Sequence, residues 1–276
     1  MKKNFEAYIQ KAKSQAQQFF ENSYKEVSLN GSTQACGFPE MRGRTRLTEW
    51  GATSAAISGL KIIGFDSERL KSIFDKSKLW LLSKQNEDGS WEASGLKLAE
   101  ATAGVLLDLN SINYDNSSHI DKAISFLDKC YKDGYYISTP RSIETPHIYT
   151  TYIVTKCLAK MHRLKNEKAI KSWVLSARTT KGIWGQTPDS NDETPIHTIF
   201  ALFILNACGM PWKEMKIQFQ KQIDWIKKSY MKQEYVYEEM QFEYDTLDEY
   251  GKQYGRLRLR HFTLPAVGNF FSRIFT

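Results

Sequence analysis

Two kinds of apolar segment alternate along this chain. In the first kind the apolar residues form one helical stripe. Phe5, Tyr8, Ile9, Ala12, Ala16 and Phe19 or Phe20 recur at steps of three and four, and the spacing returns over Leu70 to Lys84, Ile120 to Cys130, Ala169 to Ala177 and Phe219 to Tyr230. The second kind is small or apolar nearly all round: TEWGATSAAISGLKII from Thr48, then Leu98 to Leu109, Thr145 to Ala159, Thr194 to Cys208, and a last segment from about Thr263. A helix with one polar side lies at a surface, whereas one that is apolar on every side is enclosed by others. The pattern predicts an all-α chain of about five helical hairpins, outer and inner helices alternating.

Residue markers support a repeat. Glu144-Thr145-Pro146 recurs 49 residues later as Glu193-Thr194-Pro195, and Glu49 and Glu100 are 51 apart. Trp80, Phe126, Trp173 and Trp225 each precede an aliphatic residue in an outer helix. Thr-Pro at a helix start has a physical reason: threonine at the N-cap accepts from a free backbone N–H, and proline at the first helical position removes a donor that has no partner there.

The densest marker is Lys76 to Trp91, KSKLWLLSKQNEDGSW, which ends a helix, turns through Asn86 to Gly89 and places a tryptophan just beyond. Gln85 is expected to bond to exposed backbone at the helix end and Trp91 to close over the loop. Lys76, Trp80, Leu81, Gln85, Gly89 and Trp91 have the spacing of the Gln/Trp motif of squalene-hopene cyclases, and the chain resembles those terpene cyclases and the related prenyltransferase β subunits. The resemblance implies an α/α toroid of five to six hairpins, and it marks a scaffold more than a chemistry. Trp173, Gly182 and Trp184 keep the motif's spacing with Arg178 in place of its glutamine, and Tyr131, Gly134 and Tyr136 form a copy one residue short.

Length and composition refine this picture. With 276 residues and 41% hydrophobic content the chain buries a sizeable core, and a single domain over residues 1–276 is expected. A net charge of +7 is spread over outer helices without a dense basic run, so most of it reads as solvated helix surface and nothing points to specific nucleic-acid binding. Cys36, Cys130, Cys157 and Cys208 are far apart and suit reduced thiols. Charge interrupts the first twenty residues and no apolar run is of spanning length, which together predict a cytoplasmic protein.

The candidate chemistry gathers at the inner-helix starts. Glu49, Glu100, Glu144, His147, Asp192, Glu193, His197 and His261 all lie at or near them. The helix dipole explains the carboxylates; it explains the histidines poorly, because imidazolium is disfavoured at an N-terminus. Ser190-Asn191-Asp192-Glu193-Thr194-Pro195 resembles the Asp-x-Asp-Asp-Thr-Ala signature of class II terpene cyclases, whose middle Asp protonates an alkene or epoxide. That resemblance puts Asp192 in the acid position with Glu193 and His197 beside it; Ser190, Glu193 and Pro195 depart from the signature. Cationic intermediates need aromatic faces, and Trp50, Tyr149, Tyr152, Phe200 and Phe203 on inner helices supply candidates, with His147, Glu144 and His261 completing the proposed substrate site. Aromatics at helical spacing are also ordinary core.

No cofactor is expected. A prenyltransferase zinc site needs an Asp-x-Cys near an inner-helix start, and none of the four cysteines has that context. Two readings stand side by side: a terpene-cyclase-like enzyme, or half of a two-chain enzyme, acting on a hydrophobic isoprenoid; and a non-catalytic toroid that binds a lipid, a peptide or a protein. A toroidal glycosidase using two rim carboxylates stays open as a third. The long charged stretch from Glu234 to Arg260 and the apolar end with Val267, Phe270, Phe271, Ile274 and Phe275 predict contact with a second copy or another chain.

Overall fold

The structure, a computed structural model, describes residues 2–38, 51–93, 96–141, 145–188, 194–231 and 270–274. Its contacts divide into two units, Met1–Phe126 and Leu127–Thr276.

The first unit opens with helix α1, Lys2–Ser23, followed by an antiparallel hairpin of β1, Lys25–Leu29, and β2, Thr33–Gly37. The pattern of apolar residues gave only a polar loop here. The missed signal is Asn30-Gly31 between two short alternating runs: both residues have positive φ, 51° and 76°, and form the centre of a tight turn closed by Ser32 N donating to Leu29 O at 3.3 Å, within a three-residue loop between paired Leu29 and Thr33. Helix α2, Gly51–Ile63, and α3, Glu68–Ser83, come next. The Ser67 hydroxyl caps α3 by accepting from Leu70 N at 3.2 Å. A two-residue ladder of β3, Glu92–Ala93, and β4, Leu96–Lys97, leads into α4, Ala99–Ser111, and then α5, Ser117–Lys129.

Helices α2 and α4 are parallel neighbours. Ser54 and Ser58 both donate to the Asp108 carboxylate, Ser58 at 2.6 Å, and Ser58 lies 3.2 Å from Ser111, so contacts advance in the same sense along both helices. The two donors explain why a carboxylate is tolerated among apolar helices.

The second unit begins with the end of α5 and a ladder of β5, Tyr131–Lys132, and β6, Tyr135–Tyr136. It continues through α6, Ile148–Lys160, α7, Glu167–Ser176, α8, Pro195–Ala207, α9, Trp212–Gln218, and α10, Gln220–Met231; residues 270–274 are again helical. Helix α9 was not foreseen, because its seven residues are too few to show a period. Phe270 and Ile274 of the apolar end are buried within this unit, Phe270 lying 6.0 Å from Trp212. The expected C-terminal contact segment from Glu234 to Arg260 falls outside the described residues.

The predicted turns are present. Trp91 is fully buried and its indole N–H donates to Leu81 O at 2.9 Å, tying the loop to the last turn of α3. Trp184 repeats this with Val174 O at 2.7 Å. Gln85 does something different from the expectation. Its amide donates to Gly89 O at 3.0 Å and to His119 O at 2.8 Å, so it joins the turn to the next outer helix, α5, and not to its own helix end. Where Arg178 replaces glutamine, Gln222 of α10 performs that task, donating to Gly182 O at 3.0 Å.

A second repeat is visible only in three dimensions. Phe38, Trp91, Tyr136 and Trp184 each donate a backbone N–H to a threonine hydroxyl in the first turn of the following inner helix: Thr53, Thr102, Thr151 and Thr198, at 2.9, 3.0, 3.1 and 3.3 Å. All four threonines are completely buried, and each of the four inner helices is 13 residues long. The hydroxyl is needed because a strand-like residue entering a buried corner brings an N–H that has no ladder partner. Thr102→Val keeps the shape and removes the acceptor, so it is expected to cost about 1–3 kcal/mol in urea unfolding, with Thr102→Ser recovering most of it.

Candidate active site

The site residues that the structure describes lie on α6 and α8, which pack side by side in the second unit. Thr194 is the N-cap of α8: its hydroxyl accepts from His197 N at 3.4 Å, and Pro195 follows at the first helical position. The same hydroxyl lies 2.9 Å from His197 Nδ1. The contact holds the imidazole against the cap of α8, with the donor set by the tautomer.

At α6 the start differs from the Thr-Pro expectation. The N-cap is His147, two residues after Thr145, and it makes no side-chain cap bond. The helix begins late because Gln186 takes its first donor: Ile148 N donates to Gln186 O at 2.9 Å, while the Gln186 amide lies 3.2 Å from His147 Nδ1. Both histidines thus have a side-chain partner at a helix start.

Below these starts the aromatic rings meet. Tyr152 and Phe200 stack with centroids 4.5 Å apart and planes at 16°. Tyr149 lies 5.5 Å and His197 6.3 Å from the Phe200 ring, and Phe203 is 6.0 Å from Tyr152. Tyr152 and Phe200 are buried, whereas Tyr149, His147 and His197 are half-buried. The partners step forward together on α6 and α8, so these helices are also parallel and their N-termini share one end. Of the predicted site residues, the structure therefore gathers Tyr149, Tyr152, Phe200 and His197 and sets His147 at the adjoining helix start. Trp50, Glu144, Asp192, Glu193 and His261 lie outside the described residues.

Sequence reasoning missed two participants. Gln186 carries no local signal, since only the fold brings it to His147. Lys156 had one: it stands four residues after Tyr152 on the same helical face. Its Nζ donates to Tyr152 Oη at 3.0 Å.

The cysteines are unsuited to nucleophilic work. All four are free and buried. Burial pushes the Cys36 and Cys157 thiols up and holds Cys208 at about 12, against an ordinary 9.0. A faint likeness of Gln34-Ala35-Cys36-Gly37 to an internal thioester also lacks that motif's second glutamine, and the Cys36 sulfur is occupied by Ile73 O at 3.4 Å and Ser77 Oγ at 3.3 Å. The raised thiols have a pH consequence. The unfolded chain releases these protons from about pH 9 and the folded chain does not, so their contribution to stability is whole below pH 9 and declines above it. For Cys208 alone the decline is about 1.4 kcal/mol per pH unit between 9 and 12. Thermal melts at pH 8, 9 and 10 should show this limb, and Cys208→Ala should make it shallower, with Cys36 and Cys157 supplying the rest.

Among the described residues no group of three or more His, Cys, Asp or Glu is placed to hold a metal ion, and no helix is long and apolar enough to cross a membrane.

Comparison with known proteins decides the family. The model of the prenyltransferase alpha-alpha toroid domain matches residues 3–101 and again 101–235. The chain belongs to this family. Among solved structures it is similar to the apo form of a Tyr-to-Phe variant of the type II terpene cyclase MstE from Scytonema, at 13% identity and a TM-score of 0.47. That match covers 78% of this chain and 62% of the cyclase, so the chain spans about three fifths of the cyclase's length. No curated protein matches. Membership of the toroid family accounts for the alternating helices and the repeated aromatic turns, and by itself it assigns no chemistry.

Proposed function

We propose that this toroid protein binds a linear isoprenoid against Tyr149, Tyr152 and Phe200 and starts its cyclisation by protonation from Asp192. The observation that carries the reading is the aromatic cluster at the shared N-terminal end of α6 and α8, with a stacked Tyr152–Phe200 pair and His197 beside it. Aromatic faces stabilise cations by the ring quadrupole, more so away from water. The proposed acid is two residues before Thr194, in the position that the class II signature gives to its donor.

The chemistry makes clear demands. A carboxylic acid that protonates an alkene has to be held protonated, and a helix N-terminus by itself favours the carboxylate. On this reading a second acid, Glu193, and burial have to act in the opposite direction, since like charge and desolvation both favour the neutral form.

The test is turnover of linear prenyl diphosphates and squalene by the purified chain, alone and with any co-purifying partner. Asp192→Asn should lower product formation by at least about a hundredfold, the low end of a general-acid contribution, with the melting temperature unchanged. Turnover that is the same in Asp192→Asn would exclude the acid role. A specific observation favours the second reading, a binding module without turnover: Ser190 stands where the signature has its first Asp. Tight isoprenoid binding with no product from either protein would establish that reading instead.

A further inference from the structure

The β1–β2 hairpin takes no part in the aromatic site, and its turn holds the one Asn-Gly pair in the chain. An asparagine side chain and the next backbone nitrogen can close a five-membered ring: the nitrogen attacks the carboxamide carbon and ammonia leaves. Two things ordinarily hinder this. A side chain on the following residue crowds the nitrogen, and hydrogen bonds hold the two groups in other directions.

Neither hindrance exists at Asn30. Gly31 has no side chain, both residues are exposed, and a carbon placed at the Gly31 Cβ position meets nothing within 4 Å. Among the described residues no hydrogen bond is made by the Asn30 carboxamide or by Gly31 N. Both residues have positive φ, 51° and 76°, so the turn has to reorient before the two groups meet. Little opposes that. The loop is closed by Ser32 N donating to Leu29 O at 3.3 Å, a long bond at the outer end of an exposed hairpin, where local opening costs least. Other asparagines are restrained. The Asn22, Asn86 and Asn206 carboxamides donate to Gln18 O at 2.8 Å, Ser90 O at 3.3 Å and Met210 O at 3.0 Å, and Asn116, exposed like Asn30, is followed by Ser117.

We propose that Asn30 is a self-modification site, converted to aspartate and isoaspartate through a cyclic imide, and that the isoaspartate form loosens β1. Gly31 N gives its proton to solvent hydroxide and bonds to Asn30 Cγ; the Cγ–Nδ2 bond breaks, and Nδ2 leaves as ammonia with a proton from water. Water then opens the ring. Cleavage between Cγ and the nitrogen leaves aspartate, and cleavage between the main-chain carbonyl carbon and the nitrogen leaves isoaspartate; nothing is oxidised or reduced. Either product lowers the net charge from +7 to +6, since one neutral side chain becomes a carboxylate. Isoaspartate also adds a main-chain atom to the three-residue loop between paired Leu29 and Thr33. Strand β2 is anchored independently, with Ala35 and Cys36 fully buried and Phe38 N bonded to Thr53 Oγ1 at 2.9 Å. Strand β1 has its pairing with β2 and the exposed Glu26–Lys76 bridge at 2.8 Å, so the misfit of the turn falls on β1.

Incubation of the full chain at 37 °C and at pH 7.4 and 8.4, followed by peptide mass spectrometry, tests the proposal. Asn30 should convert at least about tenfold faster than Asn116, because its reacting groups can reach attack geometry, and faster still at the higher pH, where the nitrogen loses its proton more often. Both products should be found. Gly31→Ala puts a methyl group beside the nitrogen and should slow the conversion about tenfold by hindering that approach. Circular dichroism spectra of the fresh natural and variant proteins should agree. Hydrogen exchange of the β1 peptide should be severalfold faster in the converted protein than in the fresh one, with the α3 peptide unchanged. An Asn30 that survives as long as Asn116 would overturn the modification. Aspartate as the sole product, or an undiminished rate in Gly31→Ala, would overturn the imide route, and equal β1 exchange before and after conversion would overturn the loosening of the strand.

Discussion

Gly89→Ala should cost about 3–5 kcal/mol, through two effects that act together. The residue sits at φ +89°, where side chains are strained, and a Cβ there would stand 2.2 Å from the carbonyl carbon and oxygen of Lys122 and 2.6 Å from Ala123 N. Those atoms are backbone of α5 and cannot swing aside as a side-chain tip would. Relief requires the turn or the helix to move, and either movement stretches the Gln85 bonds to Gly89 O and His119 O. Gly31→Ala provides the control. Its φ is +76°, yet nothing lies within 4 Å of the added carbon, so it carries the strain alone, about 1 kcal/mol. Urea unfolding of the two variants, with the natural protein alongside, should separate clash from strain. Equal midpoints for the two would show that the approach to α5 is unimportant.

Trp91→Ala should lose a similar amount, about 3–5 kcal/mol, for a different reason. The side chain is fully buried, and its removal leaves a cavity under the α3–α4 corner and takes from Leu81 O one of its two donors, the other being Lys84 N at 3.2 Å. Trp91→Phe divides these parts: it retains most of the apolar volume and deletes only the N–H donor, for an expected loss of about 1–2 kcal/mol beyond the change in size. Trp184→Ala in the second unit is expected to behave in the same way, because Val174 O takes the place of Leu81 O. Tryptophan fluorescence and chemical denaturation would check both. A Trp91→Ala protein with an unaltered midpoint would mean that the corner holds itself closed.

Much of this scaffold was legible in the order of residues. The contrast between one-sided and all-round apolar segments located α3, α4, α6 and α8 because burial imposes it directly on the side chains. The Gln/Trp stretch located a corner because its parts are adjacent in the chain. What was not legible depends on partners far away. Gln222 substituting for the absent motif glutamine, Gln186 reaching His147, and the four buried threonines each serve an atom in a different element. A threonine in an apolar helix looks like any other small residue until the N–H it accepts from is known. The regular spacing of Thr53, Thr102 and Thr151, 49 residues apart, was nonetheless available and is a better marker of the repeat than the glutamates. At the site, the chemical types were readable for Tyr149, Tyr152, Phe200 and His197. The sense of the Lys156 charge was not, because on one helix face a lysine beside a tyrosine reads as surface.

The reach of each turn into the following hairpin also bears on how the chain matures on the ribosome. Gly89 fits against Lys122 and Ala123, Gly134 against Ala169 and Trp173, and the Gly182 carbonyl is taken by Gln222. Each corner thus waits for a stretch some 33 to 40 residues younger before it can seat. Synthesis delivers those residues at about 5–20 per second, so every newly emerged hairpin passes a period of seconds with its corner unlatched. A nascent chain stalled with residue 111 just outside the exit tunnel should be cleaved by protease at Asn86 to Gly89, and one stalled after α5 has cleared the tunnel should resist.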